Sequence, residues 1–245
     1  MSLVTLAVHQ GVATLTLNRP DKLNALTSES FRHLRAHLDV IAGDTSVRCV
    51  VLAGAGRSFC AGHDLADLSD GNAFGNRYFE AETIDRLESL PMPTVARLHG
   101  HCVTGALELA LGCDILIAAE DTRFGDTHGK WGVVPIWGLS VRLPERVGIG
   151  TAKSLMFTSR IIDGRAAREI GLVDVCVPAP ELDAAVQRMT EDIVKNSAGS
   201  NRIVKMLLRD NAARTRAEAL RHERDMPYGM AEDMAQRLAS VPRKL

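Results

Sequence analysis

The chain opens on alternation. Val4, Leu6 and Val8 interleave with other residues, and Val12, Leu15 and Leu17 follow a turn at Gln10-Gly11, a pattern that predicts a β-hairpin. Asn18-Arg19-Pro20-Asp21 closes it with turn residues. From Thr27 to Ala42 the period changes: Phe31, Leu34, Leu38 and Ile41 fall at helical spacing. Cys49 to Ala53 is a short continuous apolar run, consistent with a buried strand, and it runs into the small-residue loop 54–62. Residues 75–90 read as a helix that stops at Pro91-Met92-Pro93. A strand follows at Thr94 to Leu98, then a short helix from Thr104 to Leu111 and a strand from Asp114 to Ala118. A glycine-rich stretch over 125–138 precedes helices near 139–147 and 150–158. Asp163 is placed to cap a helix that ends at Gly171, with a strand from Leu172 to Val177 behind it.

From Pro180 onward the strand signal stops. Three helical stretches, roughly 181–195, 200–210 and 214–239, fill the rest of the chain. The prediction is therefore an α/β core over residues 1–178, with a helical C-terminal region over 179–245. The strand–strand–helix rhythm of the core suggests stacked β/α units.

Composition narrows the function classes. The 245 residues are 46% hydrophobic, enough for a sizeable core, and 24% charged with a formal net charge of −1. Without a basic field, nucleic acid is not an expected partner. No apolar run approaches the ~18 residues of a membrane span, so no membrane association is expected. The first residues lack the basic-then-apolar layout of a secretory signal. Five cysteines, an odd number without paired spacing, read as small core residues of a reducing compartment, which points to the cytoplasm.

Two places suggest chemistry. If a helix starts at Thr104 or Gly105, the Gly105 N–H is one of the first donors and lacks an intrahelical partner. Glu108 lies three residues on, on the same face, and helical side chains lean toward the N-terminus. A backbone donor with a proton-transfer group beside it follows from that spacing, against the plainer reading of a glycine-started helix with an exposed glutamate. The loop around Ala61, after a buried strand, is the second place. Small residues there present backbone N–H groups at the carboxyl end of the strand, or simply make a tight turn.

Read in order along the chain, several motifs resemble the crotonase (enoyl-CoA hydratase/isomerase) superfamily. They are Leu17-Asn18-Arg19-Pro20-Asp21-Lys22-Leu23-Asn24-Ala25-Leu26, Arg57 to Leu65, His99 to Ala110 with Cys113-Asp114, Phe124-Gly125, Pro135, Gly138, Arg142-Leu143 and Gly171-Leu172-Val173-Asp174. The resemblance implies a spiral of ββα units with a C-terminal helical trimerisation region, hence a homotrimer or a dimer of trimers. It implies an acyl-CoA thioester substrate, with CoA part of the substrate and no separate cofactor, and an enolate intermediate. Carried over by position, Ala61 and Gly105 supply the oxyanion-hole N–H groups and Glu108 a catalytic carboxylate. Lys22, Ala25, His63 and Leu65 would line the CoA channel.

The sequence departs from that family at one position of consequence. Hydratases of the family use two glutamates, and the second aligns with His128. An imidazole with an ordinary pKa of about 6.5 can act as acid or base near neutrality. This makes His128 the second catalytic group of a hydratase acting on a 2-enoyl-CoA. Alternatively His128 is a structural or substrate-contacting residue and Glu108 alone moves protons, as suits a double-bond isomerase or another enolate reaction. A third reading is a non-catalytic acyl-CoA-binding member. Thr104 and Ala106 stand where the family often has glycine, and Ile136-Trp137 departs from small residues usual there.

Other features carry less. His99-x-His101-Cys102 lacks the companion ligands that zinc requires, so no metal is expected. No Gly-x-Ser-x-Gly elbow is present. Cys60 reads as a small loop residue. Cations between Arg202 and Arg224 alternate with acids and read as solvated helix surface, with contact to CoA phosphates as the functional option.

Overall fold

The structure is a computed structural model that describes residues 2–64 and 77–240. Leu65, one of the four expected CoA-channel residues, lies outside the described residues, as do the first two positions of the helix read at 75–90.

The hairpin forms as its alternation predicts. Strands β1 (Val4–His9) and β2 (Val12–Leu17) pair antiparallel from Val4↔Leu17 to His9↔Val12. Gln10 and Gly11 both take positive φ, as a two-residue turn matched to strand twist requires. From β2 onward the main sheet is parallel. β3 (Cys49–Gly54), β4 (Thr94–Leu98), β6 (Ile115–Ala119) and β8 (Val175–Val177) follow in the order β1-β2-β3-β4-β6-β8. The continuous apolar run of β3 now has its reason. Val50 and Leu52 face the principal core, while Cys49 and Val51 face a second cluster with Val95, Ile117 and Ala119. The helix Leu182–Lys195, beyond the change of pattern at Pro180, covers that second face with Leu182, Ala185, Val186 and Ile193.

A second, smaller layer makes the spiral. β5 (His101–Val103) and β7 (Arg123–Gly125) pair parallel, Cys60 bridges to Cys102, and Phe124 bridges to Ile162. Each winding thus contributes one strand to the main sheet, turns sharply, contributes a short segment to the small sheet and continues into a helix. Strands β4 and β5 lead to the helix Gly105–Ala110, and β6 and β7 to the helix His128–Trp131. This is the ββα spiral that the resemblance implies.

Local signals place most helices well. Thr27 caps Ser28–Gly43 in a reciprocal pair with Ser30, and Asp163 caps Gly164–Glu169 through the Ala166 N–H. Two expectations need correction. The strand expected over Leu172 to Val177 is only Val175–Val177, because Leu172 and Val173 turn into the core with their amides on the Ala167 carbonyl. The single stretch over 214–239 is two helices, Arg216–Arg224 and Met234–Ala239. Pro227 disfavours helical geometry at Met226, which takes a φ of +46°. The three-residue strands β5 and β7 and the single turn His128–Trp131 were not foreseen.

Candidate active site

The site lies where the two layers meet, in a cavity of about 380 Å³. Its walls come from the loop after β3, from β5 with the helix behind it, and from the 127–137 segment.

The loop after β3 is stitched on both sides. Phe59 N–H and Cys60 N–H donate to the carbonyls of His99 and His101, and Ala61 N–H donates to the Leu23 carbonyl at 3.0 Å. Leu26 and His63 then form a parallel bridge. Leu26 N–H donates to the Gly62 carbonyl and Asp64 N–H to the Leu26 carbonyl, both at 2.8 Å. The turn that receives this loop is organised by Asn24, which is 2% exposed. Its Oδ1 accepts from Arg19 N–H and its Nδ2 donates to the carbonyls of Ala55 and Ser58. Asn24 was not singled out from the sequence, although it sits inside the quoted motif.

These bonds revise one expected donor. The Ala61 amide is committed to Leu23 and is directed at the 19–26 turn rather than into the cavity. Gly62, at a φ of +100°, breaks the alternation of amide directions. In the bridge with Leu26, the bonding groups belong to the neighbours of His63. The His63 amide therefore points to the opposite side, where Gly105 lies: a Cβ added to Gly105 would stand 3.4 Å from His63 N. A Cβ added to Gly62 would meet the Val103 carbonyl at 3.0 Å and Gly105 N at 3.7 Å. The two glycines are what allow the two backbones to approach.

Gly105 starts its helix from an unusual residue. Thr104 has φ +56° and ψ −119°, a conformation that costs a β-branched residue on the order of 1–3 kcal/mol. It is held there by its N–H on the Gly125 carbonyl and by its hydroxyl on the Thr127 hydroxyl at 2.6 Å.

Glu108 is not the exposed glutamate of the plainer reading; it is 1% exposed. Its Oε1 accepts the N–H groups of Trp137 and Leu139 at 3.0 and 3.1 Å, and its Oε2 faces His128 Nε2 at 3.7 Å. Burial pushes the carboxyl up to about 7, against the lowering influence of His128 and the two amides. On its other side, His128 is held by Asp126. The Asp126 Oδ1 lies 2.6 Å from His128 Nδ1 and accepts the His128 backbone N–H at 3.0 Å. Asp126 escaped the sequence reading; its signal is the Asp-x-His spacing beside a glycine-ended strand.

The other expected residues divide. His63 lines the cavity, with its ring tilted on Trp137 at 4.9 Å between centroids. Lys22 is exposed at the end of a short 3-10 turn, and Ala25 is half-buried with its carbonyl taken by Arg19; neither lines the cavity. Burial pushes the Cys60 thiol up to about 12, so it is inert near neutrality. His99 and His101 diverge, the first to Arg97 and the Gly56 carbonyl, the second to the Ser58 hydroxyl. Among the described residues, no group of three or more His, Cys, Asp or Glu is placed to hold a metal ion. No described helix is long and apolar enough to cross a membrane.

The chain resembles known proteins over most of its length. The family model for enoyl-CoA hydratase/isomerase matches residues 7–239. A short-chain-enoyl-CoA hydratase of Clostridium acetobutylicum is 37% identical over 190 residues, 76% of this chain and 73% of its own length. The crystal structure of an enoyl-CoA hydratase from Bacillus anthracis superposes with a TM-score of 0.92 at 29% identity, covering 97% of this chain and 95% of that one. A Thermobifida fusca chain solved in complex with CoA superposes at 0.85 with 28% identity, over 97% and 93% of the two chains. The chain belongs to the enoyl-CoA hydratase/isomerase family.

Proposed function

We propose that the protein is an acyl-CoA enzyme that adds water across the double bond of a 2-enoyl-CoA. The observation that carries this reading is the buried Glu108–His128 pair beside the converging backbones of Gly105 and His63. The thioester oxygen is received by the N–H groups of Gly105 and His63, with His63 taking the place first expected of Ala61. Negative charge gathers on that oxygen as the enolate forms, and each such donor stabilises it by about 3–4 kcal/mol. Glu108, as carboxylate, takes a proton from water while the water oxygen bonds to C3. The electron pair of the double bond moves into the enolate. His128 Nε2–H then protonates C2, and the proton on Glu108 Oε2 passes back to Nε2 to restore the starting state. One water is consumed and no other co-reactant is needed, so CoA enters only as part of the substrate.

The CoA complex of the Thermobifida fusca relative and the name of the Clostridium acetobutylicum relative support the substrate class. The replacement of a second carboxylate by His128 also keeps open a proton shuttle by Glu108 alone, the isomerase reading. A 3-enoyl-CoA converted to its conjugated isomer without hydration would select that reading. A homotrimer or dimer of trimers goes with either reaction. Exposed Val204 and Leu208 on the helix Ala198–Asn211 and exposed Met230 and Leu238 beyond it support burial by further copies, which the mass in solution tests.

The purified protein should remove the conjugated absorbance of a short 2-enoyl-CoA. Glu108→Gln should slow that by about 10²–10⁴-fold. Equal rates in the two proteins would overturn the mechanism.

A further inference from the structure

Behind the facing tips of Glu108 and His128 a third ionisable side chain is buried. Asp126 has a carboxylate only 3% exposed. Burying a carboxylate costs several kcal/mol unless it is paired and hydrogen-bonded. A turn in which Oδ1 accepts the backbone N–H two residues on explains the 3.0 Å contact to His128 N. It does not explain the 2.6 Å contact from the same oxygen to His128 Nδ1, which requires the ring to fold back onto the carboxylate that starts the turn.

We propose that Asp126 is a positioning residue for catalysis, holding His128 as the Nδ1–H form so that Nε2 alone exchanges protons with Glu108 and substrate. This rests on the hydration reading and deepens it. The geometry leaves each ring nitrogen one task. Nδ1 is occupied by Asp126 at 2.6 Å, and Nε2 faces Glu108 Oε2 at 3.7 Å. The far oxygen of Glu108 is fixed by the Trp137 and Leu139 amides, so Oε2 is the atom left to turn toward Nε2 or toward water. The ring cannot flip without breaking the Asp126 contact. When Nε2 carries the proton destined for C2, the ring is cationic and has a carboxylate against each nitrogen. After C2 is protonated the ring is neutral, its remaining proton sits on Nδ1 against Asp126, and the Nε2 lone pair is turned to the proton on Glu108. A second glutamate would need no such support, because either of its oxygens can carry the proton. An imidazole has two unlike nitrogens, so its orientation and tautomer must be set by a neighbour.

Asp126→Asn separates this role from the turn. The amide oxygen can still accept the His128 backbone N–H, so the melting temperature should stay near that of the parent. With a 2-enoyl-CoA substrate, kcat should fall by about 10²-fold while KM stays within about threefold. Independently of turnover, the parent protein labelled with 15N should show His128 with Nδ1 protonated and a far-downfield Nδ1–H proton signal. That signal should move upfield in the variant. Parent-like kcat in Asp126→Asn, or a His128 ring protonated on Nε2 alone in the parent at neutral charge, would overturn the proposal. A parent protein that hydrates no enoyl-CoA yet shows the Nδ1–H signal would refute the reaction while leaving the anchoring of His128 intact.

Discussion

Glu108 Oε2 and His128 Nε2 face each other at 3.7 Å, with the other oxygen of the same carboxyl held by two backbone amides. The arrangement fixes which atoms of the pair are free to move protons, and its consequences can be measured separately.

The first concerns pH. Burial raises the Glu108 carboxyl from an ordinary value near 4.5 to about 7. As the base in hydration it must be ionised, so the acidic limb of the kcat/KM profile should climb with pH through about 7. Folding stability should run the other way. The native state holds this proton more tightly than the unfolded chain, so the contribution is fully present below about 4.5 and is lost as pH rises through about 7. The loss amounts to about 3 kcal/mol at most. Denaturant unfolding of the parent and of Glu108→Gln at acidic and alkaline pH should show the pH dependence weakened in the variant, which carries no such proton. An identical pH dependence in both proteins would count against the buried acid.

The oxyanion donors proposed for Gly105 and His63 are backbone groups, so the informative substitutions are those that move or spare the backbone. In Gly105→Ala the new Cβ would lie 2.5 Å from Cζ3 of Trp137, so the indole or the helix start must shift. Overpacking should cost about 1–3 kcal/mol, and displacement of the donor should lower kcat by about 10²–10³-fold. His63→Ala keeps the amide and removes only the ring that packs on Trp137, so kcat/KM should fall less than about tenfold. A larger loss in His63→Ala than in Gly105→Ala would show the imidazole, not the amide, to be the contributing group.

Arg142 acts at a distance from the cavity. Its guanidinium donates to the Trp137 carbonyl at 2.9 Å and to Asp85 and Glu88 on the helix Arg77–Glu88. Trp137 is a residue whose amide grips Glu108, so Arg142 braces the support of the Glu108 carboxyl. Arg142→Ala should lower stability by about 1–3 kcal/mol and reduce kcat more than it changes KM. Arg142→Lys should recover little, since a single ammonium cannot reproduce the fork that reaches carbonyl and carboxylates together. Steady-state kinetics with a melt on each variant check both parts.

What could be read from the chain alone follows the range of the interaction. The Gln10-Gly11 hairpin and the cap at Asp163 depend on residues a few positions apart, and the residue types announce them. Strands His101–Val103 and Arg123–Gly125 are three residues long and exist because they pair with each other across the fold. Nothing in so short a segment distinguishes it from a loop. Glu108 and Gly105 were legible because helix geometry alone puts them on one face. Which amide of the 58–64 loop faces the cavity was not legible, because its direction is decided by Leu23 and Leu26, distant in sequence, and by the backbone of Gly62. Asp126 was invisible for the same reason as the importance of Asn24: each is a polar residue in a turn until the structure buries it against its partners.

The most direct test of the account is the fate of water. A 2-enoyl-CoA incubated with the protein in water labelled with heavy oxygen, and analysed by mass, should yield a 3-hydroxyacyl-CoA that carries the label in its hydroxyl group. That product should fall sharply with Glu108→Gln. Unchanged 2-enoyl-CoA across a range of acyl chains, an isomer of the same mass, or a labelled free acid with released CoA would contradict hydration as the reaction of this site.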